Sequence, residues 1–100
     1  MKEALGFLGL LNRGGKTVVG EAIPKAMREG NALILATDIS PDIGKKLSDK
    51  AAHHGVFILS GIDMVSLGEA LGFQKLSAVL IADRKASKAL LKKWDGKKGD

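Results

Sequence analysis

The sequence predicts an α/β fold, a three-layer α/β/α sandwich around a four-stranded mixed sheet. Short apolar runs bounded by turn residues recur at 33–36, 56–59 and 78–82. They do not alternate with polar residues, which is typical of strands covered on both faces. The stretches between them carry apolar residues three or four apart, as helices do. Because helices and strands follow one another in turn, we expect helices on both faces of one sheet.

The first two elements are predicted to be a helix and a short strand. In residues 2–12, Leu5, Leu8 and Leu11 fall on one stripe with Ala4, which indicates a helix. Gly14 or Gly15 is expected to end it in a left-handed conformation. Residues 17–19 are a threonine and two valines, and β-branched residues favour a strand.

A second helix is predicted to follow Gly20 and to run to about Glu29. Ile23 and Met27 are four residues apart, so one helix face carries both toward the core. Pro24 has no N–H to donate to a preceding carbonyl group, so we expect the helix to start late rather than at Gly20.

The three later helices are each predicted from a residue that favours a helix start. These residues are Ser40 (followed by Pro41), Asp63 and Asp83. Gly55 and Gly72 are expected to end the first two of these helices. We expect one domain over 1–95 and a flexible basic tail over 96–100.

The composition favours an anionic partner and excludes thiol chemistry. The 100 residues carry a net charge of +5, which is typical of proteins that bind nucleic acid. The alternative is a basic surface without such a partner. The absence of cysteine excludes disulfides and thiolate metal sites. No apolar run approaches the roughly 20 residues needed to span a bilayer, so we expect a cytoplasmic protein without a membrane partner.

No pattern predicts an enzyme, a cofactor or a metal site. The segment 15–17 reads Gly-Lys-Thr, but a phosphate-binding loop needs a glycine where Leu10 stands, and a strand before it. His53 and His54 are adjacent, so on a helix they point about 100° apart and cannot bind one ion together. We therefore expect no small-molecule substrate.

The start of the second helix is the first candidate binding site. Lys25 and Arg28 are three residues apart, so one helix face carries both. Gly20 leaves room for another backbone near the helix start, and we expect Lys16 to approach it from the other side. These cations suit phosphate groups. The alternative is a solvated face balanced by Glu21.

The loop 72–77 is the second candidate. Phe73 and Leu76 stand in a connection expected to be exposed, where they could contact an unstacked base, with Lys75 near a phosphate. The alternative is that both side chains enter the core.

The chain resembles the kink-turn-binding ribosomal proteins (L-seven-Ae and L-thirty-e type), most closely their small bacterial YlxQ-like members. The resemblance rests on short phrases in a fixed order along nearly the whole chain. They stand at 8–16, 19–21, 25–30, 35–38, 45–50, 67–72 and 78–83.

The resemblance implies an α/β/α sandwich that binds kink-turn RNA as part of the ribosome or translation apparatus. The family's early helix start would fall on Gly20, Glu21 and Lys25, with Lys16 beside the RNA backbone. Its loop over a flipped-out nucleotide would fall on Phe73, Leu76 and Ser77.

One departure keeps a second function open. The strongest RNA binders of the family have an Asn-Glu pair before the lysine, whereas here Ala22 follows Glu21 and Pro24 intervenes. The alternative function is a protein-interaction module in ribosome assembly or translation.

Overall fold

The computed structural model describes residues 1–98. Its α-helices are α1 (Lys2–Arg13), α2 (Ala22–Ala26), α3 (Pro41–His53), α4 (Met64–Leu71) and α5 (Arg84–Lys93), with a 3-10 turn at Met27–Glu29. Its strands are β1 (Thr17–Val19), β2 (Ala32–Leu35), β3 (Phe57–Ser60), β4 (Ala78–Ile81) and β5 (Lys97–Lys98).

The strands form one mixed sheet in the order β1-β4-β2-β3-β5. Strands β2 and β3 are parallel, and the other neighbours are antiparallel. The four predicted strands are present, and the α/β class with a mixed sheet is confirmed.

A fifth strand forms where the sequence predicted a flexible tail over 96–100. Lys98 pairs with Leu59 and Lys97 with Ser60, at the edge of the sheet. Gly99 and Asp100 lie outside the described residues.

Helices cover both faces of the sheet, as predicted. On one face Ile34 and Val79 pack with buried residues of α1, α4 and α5, among them Leu90. On the other face Leu33 and Leu80 pack with α2, the 3-10 turn and α3. Successive side chains of β2 and β4 therefore pack into two different cores, one on each face of the sheet, which is why these strands have no polar face.

The helices α3, α4 and α5 start at the predicted residues, although the side chain of Ser40 forms no capping hydrogen bond. Asp63 and Asp83 cap α4 and α5, since their carboxylates accept hydrogen bonds of 3.1 Å and 3.0 Å from backbone N–H groups. Gly15 adopts the left-handed conformation after α1, with φ of 72°. The second helix was expected to be continuous to Glu29, but α2 ends at Ala26 and tightens into the 3-10 turn, a common way for a helix to finish.

Candidate nucleic-acid interface

A groove of about 370 Å³ brings together the two predicted sites. Gly20 and Glu21 line one side, and Lys75, Leu76 and Ser77 line the other. The remaining lining residues are Ile23, Pro24, Ile43, Leu47 and Ala78. Five of the nine predicted residues therefore meet in one concave surface.

The pairing of β1 with β4 creates this groove. The two strands are antiparallel and Val19 lies opposite Val79, so β1 leaves the sheet where β4 begins. Gly20 turns the chain there, with φ of 67°, a conformation that favours glycine. The residues after β1 and before β4 are thus neighbours at one end of the sheet.

The loop between α4 and β4 is fixed at both ends. Gly72 ends α4 in the left-handed conformation, and the N–H of Phe73 donates a 2.8 Å hydrogen bond to the carbonyl of Gly68. The N–H of Leu76 donates to the carbonyl of Met64 at 3.0 Å. The carbonyl of Ser77 accepts from Ala36 at 2.9 Å. The lining of the groove is therefore held in place by backbone hydrogen bonds.

The two apolar side chains of this loop differ in position. Leu76 is half-buried: it packs against the core and also lines the groove. Phe73 is 43% exposed and is not among the groove residues. The alternative expectation was that both side chains enter the core. Leu76 does so in part, and Phe73 remains exposed.

The start of α2 is open, but the helix is short. Glu21 is exposed and its side chain does not cap the helix. A helix of five residues has a small dipole. Attraction for phosphates at this groove therefore comes chiefly from lysine side chains, with Lys75 in the lining and Lys25 exposed on α2.

These lysines are free to meet an anionic partner. Residues 1–98 form three ion pairs, and none of them includes Lys25 or Lys75. No carboxylate within this part of the chain neutralises them at ion-pair distance.

Lys16 does not approach Gly20, contrary to the expectation from sequence. Thr17 lies opposite Ile81, and the N–H of Ala82 donates a 2.9 Å hydrogen bond to the carbonyl of Lys16. Lys16 is therefore at the other end of β1, beside the start of α5.

Arg28 also lies away from the groove. Desolvation, followed by repulsion from His53, Lys50 and Arg28, lowers the pKa of His54. Arg28 belongs to the 3-10 turn that follows α2 and is absent from the groove lining, which meets the N-terminal half of α3.

Sequence reasoning did not assign five of the lining residues to the site, among them Ile43 and Leu47. Both belong with Ala51 to the apolar stripe of α3, a spacing that is typical of a face turned to the core. In the structure Ile43 is 49% exposed and Leu47 is half-buried, while Ala51 of the same stripe is fully buried. Periodicity alone could not separate them, because a stripe that lines a groove has the same spacing as one that fills a core.

A larger concavity of about 510 Å³ lies between α1 and α4. It contains none of the predicted residues, and like the smaller groove it has one cation and one anion in its lining, here Arg13 and Glu69. We favour the smaller groove because a lysine, an apolar floor and a fixed loop converge there.

A cluster of metal-binding side chains and a membrane-spanning helix are both absent from the described part of the chain. No three His, Asp or Glu residues in 1–98 come together to hold a metal ion. No helix within this range is long and apolar enough to cross a membrane.

The fold is similar to that of a solved protein with unknown function from Bacillus halodurans C. The TM-score is 0.86 at 25% sequence identity, and the match covers 92% of this chain and 96% of the other. No protein-family model matches the chain, and no curated protein does. The similarity supports the fold assignment.

Proposed function

We propose that this chain is a non-catalytic, cytoplasmic RNA-binding protein of the ribosome or translation apparatus, which recognises kink-turn-like structured RNA. The observation that carries the proposal is the groove shared by the start of α2, the N-terminal half of α3 and the α4–β4 loop. It combines an apolar floor with one lysine, Lys75, and Lys25 is exposed on α2 outside the lining.

The floor suits an unstacked base. Ile43, Leu47 and Leu76 present partly exposed apolar surface, and flipped-out bases can be held between apolar side chains. The volume of about 370 Å³ falls at the small end of ligand pockets, roughly 300–1,000 Å³. A single base is of suitable size, and a straight duplex presents no free base to fill it.

The rim suits phosphate groups. Lys75 lines the groove and Lys25 is exposed on the adjacent helix. Neutralising phosphates releases bound counterions, so each contact adds affinity that falls with salt. The lysines would supply affinity, and the apolar floor would supply the preference for bent RNA.

A protein-interaction module is the second candidate, and exposed Phe73 favours it. An aromatic side chain that is 43% exposed beside the groove could be the centre of a protein contact, since aromatic residues are enriched in such interfaces.

Titration of the purified protein with a kink-turn hairpin and with a straight duplex of equal length tests the proposal. We expect the hairpin to bind at least about tenfold more tightly, because only bent RNA offers both the phosphates and an unstacked base. Equal affinity for the two RNAs would overturn kink-turn recognition. No binding to either would favour the protein-interaction module.

A further inference from the structure

Helix α5 carries a stripe of positive charge outside the groove. Residues 84–93 include five lysines or arginines and no acidic residue. Four of these cations are exposed: Arg84, Lys85, Lys88 and Lys92. At about 100° per residue, they fall within an arc of about 100° on one side of the helix.

The opposite side of α5 is anchored in the core. Ala86, Leu90 and the following Trp94 are buried, and the indole N–H of Trp94 donates a 2.9 Å hydrogen bond to the carbonyl of Ser60. The side chain of Asp83 caps the helix. The stripe is therefore held on a fixed element rather than on a mobile tail.

The fifth cation of the helix has a different role. Lys93 forms an ion pair of 3.3 Å with Glu3 and lies 5.3 Å from the centre of the Phe7 ring. None of the three ion pairs in residues 1–98 involves the four cations of the stripe. Lys93 therefore contacts other residues of the protein, whereas the four cations of the stripe are available to a binding partner.

The stripe costs the isolated protein some stability. Arg84 and Lys88, and again Lys88 and Lys92, are like charges four residues apart, a spacing that destabilises a helix. By contrast, α3 mixes three lysines with Asp42 and Asp49, and Lys45 pairs with Asp49 at 3.2 Å. An anionic partner would remove the repulsion on α5.

The stripe lies in the other layer of the sandwich from most of the groove. Helices α2 and α3 pack on one face of the sheet, and α5 packs with α1 on the opposite face. A bent RNA bound in the groove would not cover the stripe, so the stripe could contact a further RNA segment.

We propose that the stripe of α5 binds the phosphate backbone of a second RNA segment, a straight duplex, without regard to sequence. This goes beyond the proposed function, since the protein would join two RNA elements. Phosphates match a single-sign surface. Among residues 1–98, α5 has no exposed large apolar side chain, whereas a membrane-surface helix or the centre of a protein interface needs one.

Two double variants test this proposal. Lys85→Glu with Lys88→Glu reverses charge within the stripe, and Lys46→Glu with Lys50→Glu reverses the same amount on exposed positions of α3. The probe is a fluorescent straight RNA duplex, titrated over a range of salt.

The α5 variant is expected to lower duplex affinity by about tenfold or more and to make the salt slope shallower by about 2, one for each lost phosphate contact. The α3 variant should lower affinity much less. Equal losses in the two variants, or wild-type binding to anionic lipid vesicles but not to duplex, would each overturn the proposal.

The two proposals fail in different ways. Failure of kink-turn recognition gives wild-type protein equal affinity for bent and straight RNA. Failure of the α5 proposal leaves the duplex affinity of the α5 variant at the wild-type value, whatever the groove binds.

Discussion

Gly68 of α4 lies so close to Lys75 that a Cβ on Gly68 would be 2.5 Å from the Cα of Lys75. Only a residue without a side chain allows the α4–β4 loop to follow this path over the helix. Because the same loop places Lys75, Leu76 and Ser77 in the groove, one glycine in a helix fixes one wall of the candidate site.

Gly68→Ala should therefore both destabilise the protein and disturb the groove. The new methyl group would collide with backbone atoms, and overpacking of this kind costs about 1–3 kcal/mol. Urea unfolding measures the loss, and amide chemical shifts of 73–77 should change most.

Gly6→Ala is the matched control for this substitution. Gly6 also lies within a helix, but a Cβ there meets no atom within 4 Å. Alanine should raise the free energy of unfolding by up to about 1 kcal/mol through helix propensity. If both variants were stabilised, the close packing of Gly68 would not limit the position of the loop.

Lys25→Glu should weaken kink-turn RNA binding by about tenfold or more, since it replaces an attraction for phosphate by a repulsion. Lys25 is exposed and forms no ion pair within residues 1–98, so the fold should remain intact. Gel shift measures affinity, and circular dichroism checks the fold.

Lys2→Glu provides the control for net charge. It makes the same charge change at an exposed position of α1, in the other layer of the sandwich. An equal loss of affinity in both variants would show that total charge, and not the rim of the groove, governs binding.

Ile43→Asn should lower affinity for the kink-turn hairpin by about tenfold, because the apolar contact of a base with this side chain is lost. Val65→Asn is a close control: Val65 is also 49% exposed, but it lies on α4 outside the groove. Both substitutions should change stability by less than about 1 kcal/mol. If Ile43→Asn bound the hairpin as tightly as the wild-type protein, the floor of the groove would not contribute to RNA binding.

The cap of α4 should make stability depend on pH. Hydrogen bonds from Ser66 lower the pKa of Asp63 below its usual value of 3.8. In the folded protein the carboxylate keeps its charge where the unfolded chain already takes up a proton. The stabilisation is thus fully present above pH 3.8 and is lost as the pH falls through the lowered pKa.

Asp63→Asn tests this dependence, since asparagine can still cap the helix but does not titrate in this range. The wild-type protein should lose more stability than the variant when urea unfolding is repeated at decreasing pH below 3.8. Parallel curves for the two proteins would show that the hydrogen bonds from Ser66 do not depend on the charge.

Much of the architecture could be predicted from local chemistry. Asp63 and Asp83 cap helices, and Gly72 ends one, because each depends on backbone groups a few residues away. The fifth strand escaped prediction because Lys97 and Lys98 have no strand pattern. Their pairing depends on β3, almost forty residues earlier.

The candidate site was predictable only in part. The residues around Gly20 and the loop before β4 were identified, and the antiparallel pairing of Val19 with Val79 brings them together. The position of Lys16 at the opposite end of β1 follows already from the predicted strand 17–19, which separates it from Gly20.

By itself, the sequence determined the α/β class, the order of the elements and where most helices begin and end, because hydrophobic period and capping act over one or two turns of chain. Only the tertiary structure decided which residues face each other. It placed Ile43 in the groove lining and the cations of α5 on a separate surface. The physical reason is that exposure and proximity depend on which elements pack together, and this packing is set by contacts between residues far apart in the chain.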